Sequence, residues 1–226
     1  MTERTVSAPT SARRLLWVEG KDDNAVIQSL AARARLPQLF RVQEKNGVDK
    51  LLDGLRVELR ARTLERFGIV VDANGDPQSR WESIRAILTG EGYADVPLHP
   101  PGEGAIIPPP RGLPLFGAWL MPDNGSPGAL EEFVTLLIPP GDALLSHASV
   151  VVDSIPAEIR RFSPLRRQKA LIRTWLAWQE DPGSPMGQAI TKGDLDARAP
   201  AAQRLIAWLR RLMLDESIDA SELPAT

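Results

Sequence analysis

The sequence has 226 residues, with 27 Lys or Arg against 29 Asp or Glu, so its net charge of −2 gives no overall signal for nucleic-acid binding. It contains no cysteine and only two histidines, which excludes disulfides, thiolate zinc sites, cysteine nucleophiles and multi-histidine metal sites. Any bound metal would therefore need oxygen ligands. No apolar run approaches the roughly 18 residues that a membrane span requires, so we expect a cytoplasmic protein without membrane association.

The first part of the chain alternates short, mostly apolar runs with segments of helical periodicity. The runs are Leu15–Val18, Leu39–Val42 and Phe67–Val71, and each is followed by apolar residues spaced three and four apart. This repeated strand–helix order predicts an α/β fold with a parallel sheet and right-handed crossovers. We expect the strand residues Trp17, Val18, Ile69, Val70 and Val71 to be buried, because helices would cover both faces of the sheet.

The rest of the chain changes character twice. Proline and glycine dominate residues 97–114, with a possible hairpin around Ala105–Ile107, and a fourth strand follows at Gly117–Met121. Beyond Pro139 the pattern is helical, with helices expected near 141–153, 163–178 and 199–214. The predicted organisation is a tail at 1–13, an α/β core at 14–138 with an insertion at 97–114, a helical extension packed on the core at 139–214, and an acidic tail at 215–226.

Acidic residues stand where two of the predicted strands end. Glu19 follows the first strand and Asp72 follows the third. In open parallel sheets, ligands bind beyond the carboxyl ends of strands whose crossovers leave in opposite directions. If the first strand pairs with both the second and the third, Glu19 and Asp72 face each other at that point. We then expect one pKa of the pair to be raised, and Glu19 to be that residue if it handles protons.

Asp72, Asn74 and Asp76 alternate at a spacing of two. A chain that leaves the strand in extended conformation would aim all three side chains the same way. Clustered oxygen ligands favour hard cations, above all Mg²⁺. The same segment is also typical of a simple turn, because Asp, Asn and Gly favour turns for local reasons.

Together, Glu-Gly-x-x-Asp at residues 19–23 and Asp-x-Asn-x-Asp at residues 72–76 resemble the Toprim domain of primases, topoisomerases, the ribosomal-RNA maturase nuclease and OLD-type nucleases. The resemblance covers about residues 14–138. The segments at 121–125 and 128–132, together with the helical C-terminal part, are similar to a branch of small bacterial Toprim-like proteins.

This resemblance implies a Rossmann-like, parallel four-stranded sheet in the order 2-1-3-4, flanked by helices. It also implies Mg²⁺-dependent or Mn²⁺-dependent phosphoryl transfer on nucleic acid. Glu19 carries over as the acid/base carboxylate, and Asp72, Asn74 and Asp76 as the metal-binding motif. Asn74 departs from the family's acid at that position and removes one negative charge, so Asn74→Asp is expected to tighten divalent binding.

Three further acids are candidates with competing interpretations. Asp123 also ends a strand and could be a second metal ligand or a turn residue. Asp23 could contribute to the site, or it could cap the first helix. Glu131 lies in the first turn of a predicted helix, where an acid also interacts favourably with the helix dipole.

A basic run in the helical extension could contact a phosphate backbone. An exposed helix face is the alternative, because Leu165, Ile172 and Trp175 give the same segment an apolar side. Lys169 could also reach a scissile phosphate and is a candidate catalytic residue. The residues of this run are Arg160, Arg161, Arg166, Arg167, Lys169 and Arg173.

Two functions are consistent with these features. The first is Mg²⁺-dependent hydrolysis of DNA or RNA phosphodiesters, with Glu19 as general acid or base. The second is a non-catalytic module in which a weakened acidic site binds a metal or nucleotide and the protein acts through a protein partner.

Overall fold

Within residues 13–215, which the computed structural model describes, five strands form one sheet. They are β1 (Arg14–Val18), β2 (Arg41–Glu44), β3 (Arg66–Asp72), β4 (Ala105–Ile107) and β5 (Leu115–Met121). The sheet order is β2-β1-β3-β5-β4. The first four strands in this order are parallel, and β4 pairs with β5 in the antiparallel direction.

The described residues also contain eight α-helices. Proline and acidic side chains fix several of their starts: Pro77 occupies the first turn of its helix, and the Asp142 carboxylate accepts a hydrogen bond from Leu145 N. The helices are α1 (Lys21–Arg33), α2 (Val48–Ala61), α3 (Pro77–Gly90), α4 (Leu130–Thr135), α5 (Ala143–Ser154), α6 (Arg167–Ala177), α7 (Met186–Lys192) and α8 (Pro200–Leu214).

The expected 2-1-3-4 order is present in the parallel part of the sheet, where β5 takes the fourth place. A wholly parallel four-stranded sheet is wrong, because Ala105–Ile107 adds an antiparallel edge strand. A chain that turns back on itself pairs antiparallel. The prolines at 108–110 keep this strand short, since proline has no N–H to donate to a strand ladder.

The predicted core residues of the central strands are all buried. Trp17 is 2% exposed, and Val18, Ile69, Val70 and Val71 are fully covered. Their continuous apolar character reflects helices on both faces of the sheet.

Alternate side chains of these strands enter two separate cores. Val18 and Val70 pack with residues of α1 and of the C-terminal helices, whereas Trp17, Ile69 and Val71 pack with residues of α2 and α3. The crossover after β1 therefore lies on one face of the sheet and the crossover after β3 lies on the other. This places the point of opposite crossovers between β1 and β3, as expected.

The helical extension shares the first core with the α/β part. Gly68 and Gly117 are paired in register on β3 and β5. A Cβ atom at either position would lie 2.7 or 2.5 Å from the Leu212 side chain. The absence of side chains at these two glycines lets α8 pack directly against the sheet.

Helix α7 was not expected from the sequence. It packs so closely on α1 that a Cβ atom at Gly187 would lie 2.7 Å from the Ala25 carbonyl oxygen. Most of the two predicted tails, at 1–12 and 216–226, lies outside the described residues. In the described part of the chain, no helix combines the length and apolarity needed to cross a membrane.

Candidate functional site

Glu19 and Asp72 meet at the carboxyl ends of β1 and β3. Glu19 Oε1 accepts a hydrogen bond of 2.8 Å from the backbone N–H of Asp72. The contact follows from topology, because parallel neighbouring strands end at the same edge of the sheet. The predicted proximity of these two residues is confirmed.

The Asp72 carboxylate is held by the next helix along this edge. Its Oδ1 accepts a hydrogen bond of 3.0 Å from the backbone N–H of Leu130, the first residue of α4. Arg80 on α3 donates from Nε to the Asp72 carbonyl oxygen at 3.1 Å. Asp72 is therefore fixed through both its main chain and its side chain.

Asp23 lies in the first turn of α1 and is only 7% exposed. Its Oδ2 accepts a hydrogen bond of 3.1 Å from Gly20 N, so the helix-capping interpretation is confirmed. Its Oδ1 is buried and has no hydrogen-bond partner within residues 13–215. A cap needs only one oxygen, and the second is left without the partner that buried polar atoms normally have.

Burial and mutual repulsion raise the pKa values of these acids. Burial is the largest cause for Asp72, whose pKa rises to about 8, and Glu19, Asp23 and Glu131 raise it further. Burial likewise raises the pKa of Asp23 to about 7, with Glu19 and Glu131 adding to it. We call Glu19, Asp23, Asp72 and Glu131 the carboxyl cluster, since their charges act on one another at this edge.

The distribution of protons differs from the expectation. Burial also raises the pKa of Glu19, but the hydrogen bond from Asp72 N and the positive charge of Arg80 oppose that rise. Asp72 has one opposing hydrogen bond and three neighbouring carboxyls. The expectation of a single raised pKa in the pair is therefore wrong, because burial raises the pKa values of both Glu19 and Asp72.

The expected alternation from Asp72 to Asp76 does not persist. Asn74 has a left-handed backbone with φ 54°, and its N–H and C=O form a two-bond bridge with Gly128 at 2.7 Å each. Asp76 is exposed and accepts a hydrogen bond of 3.0 Å from Gln78 N, which caps α3. The assumption of an extended chain is wrong, because the strand turns at Asn74. The metal roles of these two residues remain predictions.

Asp123 forms a local turn after β5. Its carboxylate accepts hydrogen bonds from Gly125 N at 3.0 Å and from Ser126 N and Oγ at 2.7 and 2.9 Å. Burial favours the neutral acid, but the hydrogen bonds from Ser126 and Gly125 outweigh it and lower the pKa of Asp123. The turn interpretation accounts for its surroundings, and its metal role remains a prediction.

Part of the basic run lies beside the carboxyl cluster. Lys169 Nζ is 2.7 Å from Glu131 Oε1, and Arg173, one turn later on α6, pairs with Asp22 at the start of α1. Arg167 instead pairs with Asp153 on α5. Helix α6 therefore brings two cations to the edge of the sheet that carries the cluster.

The other three basic residues belong to the segment between α5 and α6. Arg161 and Arg166 are exposed, and the Arg160 guanidinium lies 5.8 Å from the centre of the Phe162 ring. These three side chains are not in the ion pairs that tie α6 to the cluster.

The carboxyl cluster has the donor chemistry of a hard-cation site. Its side chains offer only oxygen ligands, and one buried oxygen of Asp23 is unsatisfied. A cation would compensate the burial and the repulsion that raise the pKa values of Asp23 and Asp72. The side chains do not already converge, since no three acids or histidines among the described residues form a metal-binding group. Binding would therefore require side-chain rotation as well as loss of protons.

The sequence did not reveal two members of this edge. Arg80 follows Asp72 by eight residues, and only the start of α3 at Pro77 brings it back to the end of β3. The backbone N–H of Leu130 carries no side-chain signal at all. The sequence indicated such a backbone donor only through the predicted start of a helix shortly after β5.

A family model described as a protein of unknown function, DUF3226, matches residues 13–214. Comparisons with curated proteins and with solved structures give no match.

Proposed function

The chain belongs to the DUF3226 family, and we propose that it hydrolyses phosphodiester bonds of nucleic acid in a reaction that depends on Mg²⁺ or Mn²⁺. The Toprim-like motifs at 19–23 and 72–76 suggest this chemistry, and the 2-1-3-4 order of the parallel strands agrees with that resemblance. The proposal concerns the carboxyl cluster and the cations on α6 beside it.

One observation carries the proposal: Glu19 and Asp72 are in contact at the point where neighbouring crossovers leave the sheet in opposite directions. Two further carboxyls, those of Asp23 and Glu131, act on the same place. Placing Asp23 and Asp72 beside Glu19 costs stability, because burial disfavours their charges and neighbouring carboxyls repel them. Binding a cation is the function that explains their grouping.

Glu19, Asp23 and Asp72 are the residues that would hold the metal. When bound, the ion would neutralise charge on the phosphoryl oxygens and activate a water molecule. Glu19 Oε1 is occupied by Asp72 N, which orients the carboxyl and makes Oε2 the oxygen that takes up or releases a proton. Burial raises the pKa of Glu19 in the metal-free protein, which is the direction that favours proton transfer near neutral pH.

The cations beside the cluster would position the substrate. Lys169 is paired with Glu131 and half exposed. A phosphate group of the substrate could therefore replace Glu131 as the partner of the Lys169 ammonium group. Other cations of the basic run would contact the nucleic-acid backbone further along, through charge rather than base recognition. They are Arg160, Arg161 and Arg166.

A non-catalytic binding module is the second candidate, and a specific observation favours it. The described residues contain no preformed metal-binding group, and Asn74 supplies one charge fewer than the motif that it resembles. In that case the cluster would bind a cation or a nucleotide weakly, and the protein would act through a protein partner.

Cleavage assays separate the two candidates. Single-stranded and duplex DNA and RNA are incubated with the protein in Mg²⁺, in Mn²⁺ or in chelator. The proposal expects cleavage that requires the divalent ion. Loss of all cleavage across these substrates and metals, with retained divalent binding, would reject the nuclease and leave the binding module.

A further inference from the structure

At the amino edge of the sheet, opposite the carboxyl cluster, lies a hollow of about 310 Å³. Its walls come from the end of α2, the end of α3 and the segment that precedes β5. The seven residues of β3 separate this hollow from the cluster by about 20 Å, at roughly 3.3 Å per residue. The lining residues are Arg60, Arg62, Glu91, Pro110, Arg111 and Leu113.

The one carboxylate in this lining is already satisfied. Arg60 donates from Nε and Nη2 to the two oxygens of Glu91, both at 2.8 Å. The Glu91 side chain is only 6% exposed. This pair leaves little negative charge available to the other arginines.

Two guanidinium groups in the lining remain available. Arg62 and Arg111 are exposed, and neither forms an ion pair within the described part of the chain. A Cβ atom at Gly112 would lie 3.7 Å from the Arg62 guanidinium carbon, so Arg62 lies against the backbone next to Arg111. Arg56 adds a further positive charge that acts on Glu91.

Helix electrostatics accounts for only part of this grouping. Arg60 and Arg62 stand at the C-terminal end of α2, where cations interact favourably with the helix dipole. Arg111 belongs to a different segment, 49 residues further on, and gains nothing from that dipole. The meeting of arginines from two segments in a concave surface is typical of oxyanion recognition, because guanidinium groups bind such anions through paired hydrogen bonds.

We propose that this hollow binds a phosphoryl group through Arg62 and Arg111, with Arg60 held in place by Glu91. The phosphoryl group belongs either to a free nucleotide or to a nucleic-acid backbone. The site is separate from the carboxyl cluster and does not rest on the proposed hydrolysis.

Titration calorimetry in chelator tests the site without divalent metal. The probes are pyrophosphate, ATP and a short DNA duplex. The wild-type protein is expected to bind at least one probe, and Arg62→Gln with Arg111→Gln is expected to weaken that binding about tenfold or more. Arg111→Gln alone, in an exposed segment, provides a second variant and is expected to weaken binding in the same direction.

The matched control is Arg35→Gln with Arg198→Gln. Arg35 has the same left-handed backbone as Arg62. Arg198 is exposed and pairs with Asp196, two residues away, and the variant loses the same charge. Binding of ATP and pyrophosphate identifies a nucleotide site, whereas binding of the duplex alone identifies a backbone site. Failure of the wild type to bind any probe, or equal weakening in the control, overturns the proposal and leaves the hydrolysis proposal unaffected.

Discussion

Among the acids at or after the carboxyl ends of β1, β3 and β5, two pairs differ in their hydrogen-bond partners. Asp76 and Asp123 accept hydrogen bonds from N–H groups two or three residues ahead in their own turns. Glu19 and Asp72 instead accept from N–H groups 53 and 58 residues away. The first pair accepts hydrogen bonds from its own turns, whereas the second accepts them from residues that the tertiary fold brings close.

This difference in partners has electrostatic consequences. The local hydrogen bonds lower the pKa of Asp123, whereas burial and neighbouring acids raise the pKa of Asp72 to about 8. The Asp123 carboxylate is stabilised as an anion by its own turn. Asp23 and Asp72 instead favour a bound proton or cation, and that difference distinguishes a candidate site from a turn of similar composition.

The largest expected effect is on catalysis. Glu19→Gln keeps an acceptor for Asp72 N but cannot exchange a proton, so we expect divalent-dependent cleavage to fall about 10²–10⁴-fold. Steady-state cleavage of a labelled duplex in Mn²⁺ measures it. Glu180→Gln, an exposed acid beyond α6, is the control with the same change in charge. Unchanged cleavage in Glu19→Gln would show that Glu19 has no catalytic role.

The second effect is on stability against pH in chelator. Asp72 and Asp23 have folded-state pKa values of about 8 and about 7, above the usual unfolded value of about 3.9. The folded protein therefore binds more protons between these values, and the stability that they contribute is lost as the pH rises towards 8.

Thermal melts from about pH 5 to about pH 9 check this prediction. We expect the wild-type Tm to fall more steeply than that of Asp72→Asn, with each kcal/mol worth about 2–4 °C for a chain of this size. Asp72→Asn keeps an acceptor for Leu130 N and removes the charge. Parallel curves for the two proteins would show that Asp72 does not hold a proton in the folded state.

A smaller effect is expected from the locally satisfied pair. Asp76→Ala removes the cap of α3, which should cost about 1 kcal/mol of unfolding free energy. Urea unfolding measures it, and Asp76→Asn, which can still cap, serves as the control. Divalent binding that falls in both variants would place Asp76 at the metal rather than in a locally satisfied turn.

The smallest effect is expected at Asn74. Its side chain is exposed, so the charge that Asn74→Asp adds is surrounded by water, where electrostatic interactions are weak. We therefore expect Mn²⁺ binding to tighten by only about two- to threefold. Calorimetry of the two proteins measures the ratio. A gain of about tenfold or more would place residue 74 in direct contact with the ion.

The sequence was sufficient for the features that depend on strand periodicity. Apolar runs such as Phe67–Val71 predicted the buried strands, whereas their order was implied by the Toprim resemblance, and that order brought Glu19 to Asp72. The second strand was predicted too early, at Leu39–Val42, because β2 is a partly exposed strand at Arg41–Glu44 that lacks a continuous apolar run. The sequence was insufficient where the local backbone conformation determines the path of a short polar segment. Asn74 turns the chain in a left-handed conformation, which the spacing of Asp72, Asn74 and Asp76 could not reveal.

Close packing decided other features that the sequence did not show. Helix α7 is only seven residues long and lies where Gly187 permits contact with Ala25. The edge strand β4 has three residues between proline-rich segments. Periodicity does not identify an element as short as α7. For β4, the sequence indicated a hairpin around Ala105–Ile107, and tertiary contacts determine its antiparallel pairing with β5.

We expect the carboxyl cluster to hold protons that a divalent cation displaces. Calorimetric titration of the chelator-treated protein with Mn²⁺ near pH 7, in two buffers of different ionisation enthalpy, tests it directly because the difference in heat counts released protons. We expect binding with release of about one proton per ion, and a clearly smaller release in Asp72→Asn, where Asp23 still holds part of a proton near pH 7. Binding without proton release, or no binding at all, would contradict it.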